Sequence, residues 1–170
     1  MNKLMLYTLF FVGFFMMSNT VSAQKFGYLN SQALLAEMPE VKQARANLET
    51  FQKQLQKKGE GMLTELQGKY QNAQQKAERG ELSPKEQEVE LQKLKQQEAE
   101  IGKFEQDMIR QIQEKEGVLL GPILEKVNNA IKAVAEENGY QFVFDASTQV
   151  LLYADQTTDV SEMVKSKLGL

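Results

Sequence analysis

The sequence predicts an α+β protein in which a small β-sheet body of three short strands carries a long antiparallel α-helical hairpin. The first observation is a seven-residue spacing of apolar residues between positions 34 and 62, which is typical of a narrow seam along a helix. The second is a similar spacing between positions 91 and 112. The third is that strand-like segments occur only outside this region, at 26–30, 141–145 and 150–154.

The hairpin is predicted over residues 39–117, with its turn at 80–84. Gly80 is a helix stop, Ser83 is an N-cap, Pro84 suits the first helical position, and Glu86 completes a capping box. If the chain reverses there, residues whose numbers add to about 163 should face each other. The apolar pairs that obey this rule are Phe51 with Ile112, Leu55 with Met108, Met62 with Ile101, Tyr70 with Leu94, and Ala73 with Leu91.

Glycines interrupt both predicted helices of the hairpin. Gly59, Gly61 and Gly102 stand where alanine would favour a helix by about 1 kcal/mol each. By the pairing rule, Gly61 lies opposite Gly102. Two interpretations stay open: the glycines let the helices approach closely, or they form a hinge that lets the outer arm bend.

Residues 1–23 are typical of a secretory signal peptide. One lysine precedes the apolar run 4–17, and Val21-Ser22-Ala23 suits cleavage after Ala23. The run is shorter than the ~20 residues that span a bilayer, so we expect no stable membrane insertion after cleavage. The chain has no cysteine, which excludes disulfides and a lipid-anchored cysteine. An exported protein is therefore expected.

Composition disfavours several classes of function. The formal net charge is −3 and no basic stripe emerges, so nucleic acid is not an expected partner. Histidine and cysteine are both absent, which removes the commonest general base and most zinc sites. An enzyme or metal site built on Asp145, Asp155 and Asp159 is an alternative hypothesis, but roles in turns and at a helix cap are enough to explain all three aspartates. We predict no enzyme, no cofactor and no metal.

The predicted body comprises residues 24–38 and 118–170, and its last helix is expected to begin at Asp159. The segments 141–145 and 150–154 are expected to form a β-hairpin, although 150–154 is apolar on both faces. So small a body usually needs disulfides, a metal or a partner, so we predict an obligate homo-oligomer. The expected oligomer core is Phe26, Tyr28, Phe142, Phe144, Leu151 and Tyr153.

The signal peptide, the opening strand, the arm hairpin and the closing segments 142–145, 151–155 and 159–164 together resemble the Skp/OmpH family of periplasmic chaperones. The resemblance covers essentially all of the chain after the signal peptide. It implies a homotrimer with a barrel-like β core and three helical tentacles around a cavity. It also implies an ATP-independent periplasmic holdase that keeps unfolded outer-membrane proteins from aggregating.

The arm offers shallow contacts for such clients, because 15 glutamines lie among scattered apolar residues between positions 37 and 117. The candidate client contacts are Leu55, Met62, Leu66, Tyr70 and Met108. Burial in the hairpin seam is the alternative role for each. The chain is acidic, with a pI of about 5.2, so no lipid or lipopolysaccharide site is carried over from basic family members. A coiled-coil spacer or interaction protein of the cell envelope is the alternative function.

Overall fold

The computed structural model describes residues 24–148 and 150–170, so the predicted signal peptide lies outside the described part of the chain. The fold is α+β, as predicted. The elements in chain order are strand β1 (Phe26–Leu29), helices α1 (Ser31–Glu37), α2 (Pro39–Glu78) and α3 (Pro84–Asn138), strand β2 (Phe142–Asp145) and helix α4 (Ser161–Leu168). Short 3-10 turns occupy Ala146–Thr148 and Gln156–Thr158.

The antiparallel hairpin of α2 and α3 is confirmed, and its turn has the predicted chemistry. Gly80 adopts a left-handed φ of 69°, which a residue with a side chain rarely adopts. The Ser83 hydroxyl accepts the amide hydrogen of Glu86, and the Glu86 carboxylate accepts the amide hydrogen of Ser83. Pro84 occupies the first turn of α3, where its missing N–H costs nothing.

Helix α3 joins the arm to the body without interruption. It has 55 residues and is therefore about 80 Å long. The helix continues through Pro122 and ends at Gly139, whose φ of 71° makes it a left-handed cap. At the other side of the hairpin, Pro39 begins α2 directly after the break at Met38, as expected.

The described residues contain two strands, so the prediction of three is wrong. β1 and β2 pair in parallel, with Phe26 opposite Phe142 and Tyr28 opposite Phe144. The predicted hairpin between 141–145 and 150–154 is absent, because the chain leaves the sheet at Asp145 through a 3-10 turn. Among the described residues, the segment 150–154 therefore has no neighbouring strand, and a strand needs a hydrogen-bonded partner.

The body core gathers side chains from widely separated parts of the sequence. Its buried members are Leu29, Leu34, Met38, Val41, Val127, Ala130, Val134, Val160 and Val164. Gly27 allows the close approach, because a Cβ there would lie 2.9 Å from Cγ1 of Val160. Helix α4 begins at Ser161 rather than at the predicted Asp159, whose carboxylate accepts the amide hydrogen of Ser161 at 2.8 Å. Val160 occupies the cap position because its side chain fills the core.

Candidate functional site

One face of the two-stranded sheet is aromatic and open to solvent. Phe26 and Phe142 stack with ring centroids 5.8 Å apart, and Phe144 lies 6.4 Å from Phe142. The alternation of a strand puts these rings on the face opposite Gly27 and Leu29, which face the core. All three phenylalanines are exposed, although packed aromatic rings normally bury most of their surface.

The remaining residues of the predicted oligomer core lie beside this aromatic face or after it in the chain. Tyr28 is half-buried on β1 and Leu151 is half-buried in the irregular segment 150–154. Tyr153 is 85 % exposed, and Val150 and Leu152 are also exposed. The apolar side chains of this segment thus find little cover within the single chain.

An apolar groove continues from the aromatic face toward the base of the arm. Its volume is about 340 Å³, and its walls include Leu35 of α1, Leu124 of α3 and Phe144 of β2. Leu124 and Phe144 are exposed, so the groove is open on one side. The groove meets the aromatic face at Phe144, which lies on that face and also lines the groove.

Asp145 fastens the end of β2 to the start of α1. Its carboxylate accepts hydrogen bonds from the amide and hydroxyl of Ser31 and, at 2.9 Å, from the amide of Ser147. Burial alone would raise the pKa of Asp145, but these hydrogen bonds outweigh it and lower the pKa to about 2. The carboxylate is therefore ionised at neutral pH and serves as an internal cap. The sequence analysis missed this role because Ser31 is more than a hundred residues away.

The outer half of the hairpin has a separate small core. Leu66, Leu94 and Ile101 are buried there, with Met62, Tyr70 and Ala73 packed against them. Of the five predicted client contacts, Leu55 and Leu66 are buried, and Met62, Tyr70 and Met108 are half-buried. The structure therefore places all five at the seam between the helices, and client contact by these residues stays a prediction.

The two flanks of the hairpin differ in how their apolar side chains are covered. We call one the Tyr70 flank, which comprises Leu63, Tyr70, Leu91, Glu98 and Ile109; the Tyr70 hydroxyl donates to Glu98 at 3.0 Å. That hydrogen bond raises the pKa of Tyr70. We call the other the Phe104 flank, which comprises Lys58, Lys69, Gln97, Phe104, Lys115 and Val118. There Lys58 lies 5.0 Å from the centroid of the Phe104 ring.

The sequence analysis missed three exposed apolar residues of the Tyr70 flank. Leu63 is 51 % exposed, Leu91 is 46 % exposed and Ile109 is 57 % exposed. Leu91 was expected to pair with Ala73, but it lies too far round the helix to be buried by it. The available signal was spacing: Leu63 stands seven residues before Tyr70, and Leu91 seven before Glu98.

Only one of the three predicted hinge glycines makes a close contact. A Cβ on Gly59 would lie 3.3 Å from the Phe104 ring, whereas a Cβ on Gly61 or Gly102 would meet nothing within 4 Å. Close approach of the helices therefore explains Gly59 but not Gly61 or Gly102. The helices continue through all three positions, and the hinge stays a prediction.

The aspartates of the alternative metal or catalytic site form hydrogen bonds with nearby residues. Asp155 accepts the amide hydrogen of Thr157 at 2.9 Å, and Asp159 caps the start of α4. Within residues 24–148 and 150–170, acidic side chains form no group of three or more that could hold a metal ion. Over the same residues, the helices all lack the length or the apolar character needed to cross a bilayer.

Comparison with known proteins agrees with this architecture. Residues 25–168 match the family model of outer membrane protein (OmpH-like). The chain is 32 % identical over 153 residues to the chaperone protein Skp of Yersinia enterocolitica, covering 85 % of each chain. A solved OmpH-like protein of Caulobacter crescentus superposes with a TM-score of 0.72 at 16 % identity, over 85 % of this chain and 83 % of that one. The chain therefore belongs to the OmpH-like family, and it is a chaperone of that family.

Proposed function

We propose that the protein is a periplasmic, ATP-independent holdase that works as a homotrimer and keeps unfolded outer-membrane proteins from aggregating. In this proposal the signal peptide is removed after Ala23. The aromatic faces of three copies then form a common body, and three hairpins enclose the client. The protein catalyses no reaction in this role and needs no cofactor.

The arm is the observation that carries the holdase proposal. Among the described residues, the core of its outer half consists only of hairpin residues, so no other described segment covers its flanks. Both flanks are therefore available to a client over tens of ångströms. The exposed apolar side chains are isolated, and each buried one contributes about 1–2 kcal/mol. Such contacts hold an unfolded chain weakly, and three arms would add their effects.

The open surface of the body supports the oligomer. The aromatic face, the groove beside it and the segment 150–154 all carry exposed apolar side chains, and monomeric proteins rarely expose large apolar patches. Within the part of the chain that the structure describes, no strand pairs with the outer edge of β2, so a strand from another copy could pair with it. Self-association would cover both features.

The charge of the chain favours capture of the client by apolar contact and confinement rather than by electrostatic attraction. The formal net charge of −3 is spread over mixed-sign arms, whose ion pairs are exposed and within the same helix. Exposed pairs of this kind contribute little to binding or stability. We therefore expect client capture to depend only weakly on salt.

The test is the light-scattering mass of the mature chain, first alone and then mixed with an unfolded outer-membrane barrel protein diluted from urea. We expect a trimer alone and a soluble complex with the barrel protein. Tyr153→Ser and Phe142→Ser, made together, should lower the mass toward that of a monomer. Leu63→Ser, on the arm, is the matched control and should leave the trimer intact.

Two results would contradict the proposal. A stable, folded monomer would show that the apolar body surface is not an oligomer interface. A trimer that leaves every tested barrel protein to precipitate would favour the alternative, in which the hairpin is a spacer or docks one specific partner of the envelope.

A further inference from the structure

We propose that the Tyr70 flank, and not the Phe104 flank, is the surface of the arm that holds an extended segment of the client. This inference rests on the proposed holdase function and assigns it to particular side chains. The segment it fits is an extended strand with apolar residues on one side, as in an unfolded barrel protein.

The register of the hairpin puts Leu63, Leu91 and Ile109 on one flank. Leu63 lies one heptad before Tyr70, and Leu91 lies one heptad before Glu98, so each shares a helix face with its partner. The hydrogen bond between Tyr70 and Glu98 joins those two faces across the hairpin. Ile109 follows Glu98 by eleven residues, which is about three helical turns and returns to the same face.

On the opposite flank lysines lie over both aromatic rings, and the exposed apolar side chains there are two valines, Val89 and Val118. Lys58 lies over Phe104, and Lys115 lies 5.9 Å from the centroid of the Phe51 ring. Lys69 also pairs with Glu65 at 2.6 Å and donates to Gln97 at 3.1 Å. A client that used the aromatic rings on this side would first have to displace the lysines from them.

The spacing along the Tyr70 flank suits an extended chain. Gly59 lies beside Phe104, and in that register Ile109 is level with Gln54 and Leu91 with Asn72. Measured along the axis of the hairpin, Ile109, Leu63 and Leu91 therefore follow one another at steps of about nine helical residues, or ~13 Å, with Leu63 displaced sideways because it lies on α2. Four residues of a strand span about the same distance. Successive side chains of a strand point to opposite sides, so client residues that are four apart lie on the same side. The client residues that contact Ile109, Leu63 and Leu91 therefore all lie on one side of the strand.

A second copy of the arm is a poorer occupant of this flank. Two packed helices meet at steps of a heptad, about 10 Å, and specific protein interfaces bury at least ~1,000 Å². Three isolated side chains at wider steps meet neither requirement. Weak contacts at separate points instead suit a client that must later be released.

Because the natural chain contains no cysteine, single cysteines can test the assignment. Leu91→Cys and Val89→Cys are matched: the two native side chains are 46 % and 45 % exposed and lie two residues apart. They differ by about 200° around α3, so they face different sides. Each variant is labelled with benzophenone maleimide and irradiated with an unfolded barrel protein diluted from urea.

We expect the label at position 91 to crosslink the client at least about fivefold more than the label at position 89. A second measurement uses aggregation: Leu63→Gln, Leu91→Gln and Ile109→Gln together should raise the concentration needed for half suppression by about fivefold or more. Val89→Gln with Val118→Gln, which leaves the flank intact, should change it by less than about twofold. Circular dichroism of each variant checks that the hairpin remains helical.

The outcomes separate this inference from the function on which it rests. If the natural chain holds the client but both labels crosslink equally, or position 89 crosslinks more, the flank assignment is wrong and the holdase stands. If the natural chain does not suppress aggregation and neither labelled variant crosslinks the client, both proposals fall. Unchanged suppression by the variant that carries Leu63→Gln, Leu91→Gln and Ile109→Gln together would also contradict the assignment.

Discussion

The body and the outer hairpin are held together in different ways. The body core joins β1, α1, α3 and α4, so its buried residues come from positions as far apart as Leu29 and Val164. The outer hairpin has a seam of three buried residues between two helices. Each helix there contacts only the other, and most of its side chains remain in water. The body is therefore a cooperative globule, whereas the arm is a chain of nearly local contacts.

This difference in packing predicts how the body and the arm each respond to the loss of a contact. In the body, one lost contact weakens several elements, because each side chain touches residues of distant segments. In the arm, a lost contact loosens one level of the hairpin, and neighbouring turns keep their own hydrogen bonds. A holdase benefits from this division, because the arm can adapt to a client while the body stays assembled.

The largest effect is expected from truncation in the body core. Leu34 is 2 % exposed, and Leu34→Ala should lower the free energy of unfolding by about 3–4 kcal/mol in urea denaturation followed by circular dichroism. Ile101→Ala, in the outer seam, should cost about 2 kcal/mol locally, because the exposed surroundings can collapse. Hydrogen exchange should show faster amide exchange in the outer hairpin for Ile101→Ala and throughout the body for Leu34→Ala.

The matched control is Leu63→Ala, an exposed position in the same arm, which should change stability by less than about 0.5 kcal/mol. If the Leu34→Ala and Ile101→Ala variants lost equal amounts of amide-exchange protection in the body, that result would contradict the separate stability of the arm and the body. The arm and the body would then be one cooperative unit.

Acid should weaken the body through Asp145. Because the pKa of Asp145 is about 2 in the folded chain, below its usual 3.8, its contribution is present above about pH 4 and is lost as the pH falls toward 2. The difference between the pKa of Asp145 in the folded chain and its usual value corresponds to about 2 kcal/mol in the free energy of unfolding. Asp145→Asn should remove most of the stability change between pH 4 and pH 2, measured by urea denaturation.

The arm offers the control for this pH dependence. The hydrogen bonds with Ser83 also lower the pKa of Glu86, but this carboxylate lies in solvent at the hairpin turn. Glu86→Gln should therefore leave the acid dependence of the body unchanged. If Glu86→Gln removed that dependence and Asp145→Asn did not, the assignment to Asp145 would be wrong.

The smallest effect is expected at the glycines of the arm. A Cβ at Gly61 or Gly102 meets no neighbour, so Gly61→Ala or Gly102→Ala should stabilise the hairpin by about 1 kcal/mol each. If these glycines form a hinge, the pair of substitutions should also slow amide exchange at the tip and narrow the range of client sizes held. Gly59→Ala, which meets the Phe104 ring, should stabilise less. Unchanged exchange in the double variant would argue against a hinge.

The candidate site could be predicted from the sequence only in part. Phe26, Phe142 and Phe144 were identified because strand alternation places apolar residues on one face of each strand, but the pairing that brings the two strands together was not predicted. Leu63 and Leu91 were missed because the heptad pattern shows which residues are apolar, not which the partner helix covers. One helical position, about 100°, decides whether a leucine enters the seam or faces a client.

What the sequence by itself determined is local. The turn at Gly80, the capping box of Ser83 and Glu86, the break at Pro39 and the cap at Gly139 all follow from backbone restrictions of one or two residues. The antiparallel hairpin follows as well, because that turn brings two matching seams together.

Only the tertiary structure decided the partners of distant segments. The seven-residue run from Leu34 looks continuous, yet Leu34 and Val41 belong to the body core and Leu55 lies at the seam of the hairpin. β2 pairs with β1 rather than with 150–154, because Asp145 binds Ser31 and turns the chain away. Such pairings depend on which surfaces meet after folding, and apolar periodicity carries no information about that choice.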